Sequence, residues 1–272
     1  MKTRVITAAV LLPILLVIVL ALPKIVTAIL LAACTAIAAY ELLYRTELVR
    51  HARLVAYSML FAALVPIWCY FGMPHAWGLL GILAFVGLLF GEMMGNHIKL
   101  SFDKIGMCLV AGLLVPYLFS GLIRIHGMDY GRHMILIPFM LAFLPDSGAY
   151  FAGYFFGAHK LAPVISPKKT VEGAVGGVLT AVFGMLLYGA IMGIFFKFQV
   201  NYGFALVYGI VVSLGDIFGD LMFSVIKRQT GIKDYGNLIP GHGGILDRFD
   251  SMIIVAPLTE ALLCLVPMMV KL

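Results

Sequence analysis

The chain has 272 residues, of which 62% are hydrophobic and only 12% charged, with a formal net charge of +6. Soluble domains are nearer about 45–50% apolar and about 25% charged, so a water-soluble globule, a disordered chain and a coiled coil are all excluded. The apolar runs are too long for the ~10-residue alternation of an outer-membrane barrel. What remains is a polytopic helical membrane protein built from spans of about 20 residues.

The fold expected is all-α, with about nine transmembrane helices. Lys2 and Arg4 precede a first apolar run, 5–22. It reads as a span and not as a cleaved leader, because apolar chain continues beyond Pro23-Lys24 and no polar domain follows. Further spans are expected at 25–43, 54–72, 77–95, 105–124, 134–156, 171–196, 203–226 and 251–270. Pro66 and Pro116 fall inside the third and fifth of the nine, where neighbouring helices can accommodate them. Cys34, Cys69, Cys108 and Cys264 are scattered through apolar runs and read as small core residues.

Lysine and arginine set the orientation. With the N-terminus inside, the inner loops carry Lys2, Arg4, Arg45, Arg50, Arg53, Lys99 and Lys104 from the first half of the chain. From the second half they carry Lys160, Lys168, Lys169, Lys227, Arg228, Lys233 and Arg248, making fourteen of the nineteen basic residues. Lys24, Arg124, Arg132, Lys197 and Lys271 stay outside, and an odd number of spans puts the C-terminus outside. The basic balance is thereby explained without a nucleic-acid partner. A multi-pass protein of the plasma (inner) membrane is expected, with any active site facing the cytoplasm.

Two regions differ in character. Residues 1–125 are apolar spans with short connections, a scaffold for which dimerisation is one use. Residues 126–272 form the region expected to be catalytic, with cytoplasmic loops at 157–170 and 227–250; seven of the thirteen acids lie within 146–251.

Ser213, Asp216, Asp220, Ser224 and Lys227 recur at helical spacing and share one face of the eighth span, with Arg228 just beyond. An intramembrane carboxylate costs some ~2.5–3.5 kcal/mol even on the lenient insertion scale. The stripe therefore needs positive charge against it: a metal ion, the nearby basic side chains, or both. Internal salt bridging or an ion relay would also satisfy it. The following loop runs Lys233-Asp234, then Pro240-Gly241-His242-Gly243-Gly244, then Asp247-Arg248-Phe249-Asp250-Ser251. Its glycines allow backbone N–H groups to approach an anion closely. Asp247 and Asp250 lie three apart at the expected start of the ninth helix. Acids from two helices beside such a loop suit Mg²⁺ holding a polyphosphate.

Upstream, Ser166-Pro167-Lys168-Lys169-Thr170 leads into Glu172-Gly173 and a helix N-terminus, a combination suited to phosphate but also to a plain positive-inside loop. Asp146-Ser147-Gly148 places a carboxylate in the sixth span, where buried pairing and metal ligation are equally good readings.

The run Ser224-Val-Ile-Lys-Arg228, Lys233-Asp234 and Pro240-Gly-His-Gly-Gly-Ile-Leu-Asp-Arg-Phe-Asp250 resembles the signature of the phosphatidate cytidylyltransferases, the CDP-diacylglycerol synthases. The Asp146–Tyr150 segment, the Ser166–Thr170 loop and Ser213–Asp220 are similar to that family as well, so the resemblance covers 146–251 without a departure inside the motif. It implies that CTP and phosphatidic acid give CDP-diacylglycerol and pyrophosphate, with Mg²⁺, a monovalent cation such as K⁺, and a homodimer.

By the same resemblance Asp220 and Asp247 are the leading metal ligands, with Asp216, Ser224, Asp146 and Asp250 beside them. Lys227 and Arg228 join Asp220 and Asp247 as catalytic residues by neutralising phosphate charge. Substrate contacts are expected from Ser166, Lys168, Lys169, Thr170, Glu172, Ser213, Lys233, Asp234, His242, Gly243, Gly244 and Arg248. A phosphomonoester, with a second pKa of about 6, is largely ionised at neutral pH, so no general base is required. Two rivals stand. A CTP-dependent polyprenol or lipid kinase would release CDP, and an ion-coupled transporter would use Asp216, Asp220, Glu92 and Asp146 as its relay.

Overall fold

Among the described residues of the computed structural model, seven helices are long and apolar enough to cross a membrane. They are α1 (Lys24–Arg45), α2 (Ala52–Phe71), α3 (His75–Gly95), α4 (Phe102–Gly127), α5 (Gly131–Phe156), α6 (Val171–Phe196) and α7 (Tyr202–Gln229). Each coincides with an expected span to within a few residues. The architecture is that of a multi-pass membrane protein. The structure describes residues 10, 13–95 and 100–271. Residues 13–20 of the first expected span are helical, whereas much of the rest of that span lies outside the described residues, as do Lys2, Arg4 and Lys99.

The chain end differs from expectation. The ninth run, 251–270, is helical only over α9 (Met252–Leu265), 14 residues and about 21 Å long. That is shorter than the ~30 Å hydrocarbon layer. A four-residue helix, α8 (Leu246–Phe249), precedes it, and Asp250 and Ser251 form the turn between. Asp247 and Asp250 therefore do not open one continuous helix.

The protein is also not purely helical. A hairpin pairs β1 (Lys160–Ala162) with β2 (Ser166–Thr170). A second antiparallel pair joins β3 (Phe198–Val200) to β4 (Met269–Lys271), with Phe198 opposite Lys271 and Val200 opposite Met269.

Several local features follow from single residues. Pro116 has no N–H to continue the α4 ladder, and a five-residue π turn at Val110–Leu114 stands just before it, absorbing the mismatch. A second π turn, Glu41–Arg45, ends α1. Thr170 starts α6, its Oγ1 accepting the Gly173 N–H at 3.1 Å.

The chain divides into two compact units, the first comprising residues up to Arg132 together with Lys227–Phe249 and the second His133–Ile226 with Asp250–Leu272. In the first unit α1 lies along α2, where the Thr35 hydroxyl donates to the Ala62 carbonyl at 2.7 Å. Glu92, a potential intramembrane acid, pairs with Arg53 at 3.2 Å and accepts from the Tyr57 hydroxyl at 3.3 Å. In the second unit α5 and α6 approach along small residues, and a Cβ on Gly176 would run into Ala152.

Candidate active site

The second unit carries the acidic stripe. Ser213, Asp216, Asp220 and Ser224 all lie on α7, and the Ser224 hydroxyl donates to Asp220 Oδ1 at 3.2 Å, as the four-residue spacing requires. Ser213 is wholly buried and donates to the Ile210 carbonyl at 3.0 Å. Asp216 is 2% exposed, with Asp146, Lys169 and Asp220 within electrostatic reach and the Ser251 hydroxyl hydrogen-bonded to it. Its Oδ1 is buried with no hydrogen-bond partner among the described residues. A carboxylate oxygen in that condition is costly unless a positive group approaches it.

The β1–β2 hairpin supplies such charge. Along β2 Pro167 and Lys168 are exposed while Lys169 turns inward, where its Nζ pairs with Asp220 Oδ2, both side chains being half-buried. The hairpin is tied to α6 at its base. Glu172 accepts the backbone N–H groups of Ala158 and His159, each at 3.2 Å, and contacts His159 Nδ1 at 2.6 Å. Thr170 closes the same junction, so Thr170→Ala is expected to cost about 1 kcal/mol. The loss would be read as a lowered thermal midpoint in detergent, and a change to Ser should restore most of it.

In the first unit the glycine-rich loop is closed by two buried carboxylates. The Asp247 side chain is 2% exposed. Its Oδ2 accepts the N–H groups of Tyr235 at 2.7 Å and Gly244 at 3.0 Å, while Oδ1 accepts from Lys227 Nζ at 3.1 Å. Lys227 also sits 5.4 Å from the centre of the Tyr235 ring. Ile239 and Gly243 pair across the turn, and Gly243 adopts φ +86°, a backbone region that favours glycine. Phe249 packs on Phe119 at 5.2 Å and anchors the end of α8.

The second carboxylate is Glu41, from the π turn of α1, which sequence reasoning missed. It is 3% exposed and accepts Ile245 N–H on Oε1 at 3.1 Å and Leu246 N–H on Oε2 at 2.8 Å. A Cβ on Gly244 or Gly236 would collide with it. The one sequence signal was an acid inside an apolar run, which must find partners somewhere. The Gly244 amide, part of the glycine turn that the sequence reading offers to an anion, is thus taken by Asp247, and the next two amides, Ile245 and Leu246, are taken by Glu41.

The structure brings together Lys169 with Asp220, Ser224 with Asp220, and Lys227 with Asp247. Asp250 accepts the Ser251 N–H at 2.9 Å, and Ser166 begins β2. Lys168, Arg228, Lys233, Asp234 and Arg248 are exposed, and His242 is half-buried. Among the described residues no three His, Cys, Asp or Glu side chains are already gathered as a ligand set. The donor chemistry nonetheless fits a hard divalent cation, because the α7 groups are all oxygen donors and Asp216 Oδ1 is orphaned.

Comparisons with known proteins identify the family and the relatives of this chain. The model of a family described as the cytidylyltransferase family matches residues 2–266. A phosphatidate cytidylyltransferase of Staphylococcus saprophyticus is 40% identical over 182 residues, 66% of each chain. The protein of that name from Staphylococcus epidermidis is 38% identical over 185 residues, 67% of this chain and 68% of the relative. The Staphylococcus aureus one is 40% identical over 182 residues, again 66% of each. The aligned stretch therefore spans just under two thirds of the first of these relatives.

Proposed function

We propose a function from one premise: the chain belongs to the cytidylyltransferase family. The reaction is that of a phosphatidate cytidylyltransferase, in which CTP and phosphatidic acid give CDP-diacylglycerol and pyrophosphate for phospholipid synthesis. The observation that carries this reading is the pairing of Lys169 with Asp220. It joins a basic loop of phosphate-binding type to an acidic stripe of metal-binding type, two motifs that lie about fifty residues apart in the chain.

A phosphate oxygen of phosphatidic acid attacks the α-phosphorus of CTP. The bond from that phosphorus to the bridging oxygen of the β-phosphate breaks, and pyrophosphate leaves with the electron pair. The nucleophile is already an anion near neutral pH, so the demand on the protein is positioning and charge neutralisation. Lys168 and Lys169 draw in the triphosphate, with Ser166, Thr170 and Glu172 shaping their hairpin. Lys227 and Arg228, at the last turn of α7, offset charge on the transferring group. Lys233, Asp234, His242, Gly243, Gly244 and Arg248 belong to the loop we assign to substrate recognition.

Asp220, Asp216, Asp146 and Ser224 are the groups of the second unit that would hold Mg²⁺, with K⁺ as a monovalent companion and Asp250 nearby in sequence to the hydrogen-bonded Ser251. In the first unit Asp247 presents Oδ1, which accepts from Lys227 Nζ, as the oxygen we assign to a cation. When bound, the cation neutralises triphosphate charge. We assign this site to the cytoplasmic face of the plasma (inner) membrane, in a multi-pass chain with its N-terminus inside, functioning as a homodimer. Residues 1–125 serve as its scaffold.

The deciding experiment incubates purified protein with α-labelled CTP, phosphatidic acid and Mg²⁺. Label should move into the lipid phase with release of pyrophosphate. Label left in water as CDP would replace this reading with a lipid kinase, and an inert mixture would sink it.

A further inference from the structure

A cavity of about 670 Å³ opens in the first unit, and Lys24, Cys69, Tyr70, Arg124 and His126 line it. It is far from the glycine-rich loop. Lys24 is the first residue of α1 and Glu41, which holds the loop, lies seventeen residues along the same helix. At 1.5 Å per residue that is about 26 Å, close to the ~30 Å hydrocarbon thickness of a bilayer. The cavity thus sits at the opposite headgroup level from the loop, on the end where the basic-residue count places the outer loops.

Its chemistry is cationic. Lys24 is exposed at the rim. The Arg124 guanidinium is fixed over the Tyr117 ring, 4.5 Å from its centre, and donates to the Tyr117 carbonyl at 3.1 Å. Arg132 is also within electrostatic reach of His126. Among the described residues lining the cavity there is no carboxylate. His126 is 1% exposed, and neither ring nitrogen has a hydrogen-bond partner among the described residues. At least one of those nitrogens always carries a proton. A buried N–H without an acceptor is the feature an arriving oxyanion corrects.

We infer that this cavity binds a phosphate group, presented by an anionic lipid headgroup or as a free anion, through His126, Lys24 and Arg124. A single phosphate can accept from all three, and a volume of this size is ordinary for a small-ligand site. The site is separate from the nucleotidyl-transfer reading and does not depend on it.

The test uses the full-length protein in micelles of a neutral detergent. The probes are dihexanoyl phosphatidylglycerol, inorganic phosphate and uncharged dioctanoylglycerol, with bound probe counted by native mass spectrometry. The wild type should bind one phosphate-bearing molecule that Lys24→Gln and His126→Leu each weaken about tenfold and Lys24→Glu abolishes. Tighter binding of the lipid than of phosphate identifies a headgroup, and equal binding identifies a soluble anion. Both uphold the site. Unchanged binding in the exposed-residue variant Lys24→Glu, equal binding of dioctanoylglycerol, or no binding of either phosphate probe would overturn it. Cytidylyl transfer at saturating substrate should be unaltered in Lys24→Gln, so loss of this site and loss of the proposed reaction read out separately.

Discussion

Asp220→Asn should lower CDP-diacylglycerol formation by about 100- to 1,000-fold, the scale seen when one electrostatic contact to a reacting group is removed. The side chain keeps its shape, and its amide oxygen can still accept from Ser224, which donates to Oδ1 in the wild type. What disappears is the negative charge that faces Lys169 and that we assign to the cation. The ion pair with Lys169 is half-exposed and is worth only about 0–1 kcal/mol in stability. The thermal midpoint should therefore barely move while the rate collapses. Measuring both on the same preparation separates a reactive role from a structural one. If Asp220→Asn turns over at near wild-type rate in saturating Mg²⁺, the assignment fails. If rate and midpoint fall together, Asp220 holds the fold and does not serve the reaction directly.

The contrast between what the sequence announces and what it conceals is clear around this residue. Asp220 and Ser224 are one helical turn apart, so their contact follows from local periodicity. The seven spans are legible for the same reason, since each is an unbroken apolar run of membrane length. Lys169 meeting Asp220 is a tertiary fact that no spacing rule contains. Strands of three residues carry too few alternations to register a period of two, so β1, β3 and β4 are silent in the sequence. The ninth span is overcounted because Val266-Pro267-Met268-Met269-Val270 continues the apolar run. There Met269–Lys271 leaves the helix and pairs with β3 instead. Glu41 is the hardest case, because its partners lie more than 200 residues away. Only the general cost of an acid in an apolar run marks it.

That cost makes Glu41 the residue whose loss should disturb the loop most. Glu41→Ala leaves the Ile245 and Leu246 N–H groups without acceptors at a buried position. Each orphaned donor costs roughly 1–3 kcal/mol, so a destabilisation of about 2–4 kcal/mol is expected once partial relaxation is allowed. Gly244 and Gly236 pack against this carboxylate, so its removal also opens a void beneath the turn that carries His242. Glu41→Gln should fall between the two. Its amide oxygen can accept one of the two N–H groups, but its NH₂ meets the other donor to donor. Hydrogen exchange resolved to residues 236–247 should accelerate strongly in Glu41→Ala and partly in Glu41→Gln, while α5 and α6 exchange as before. Because the loop is assigned to recognition, KM for CTP should rise in the same order. A purely structural Glu41 would lower the amount of folded enzyme and leave KM unchanged. Wild-type exchange at Ile245 and Leu246 in the alanine variant would remove Glu41 from the account. Asp247 would then be the carboxylate that holds the loop, through Tyr235 and Gly244.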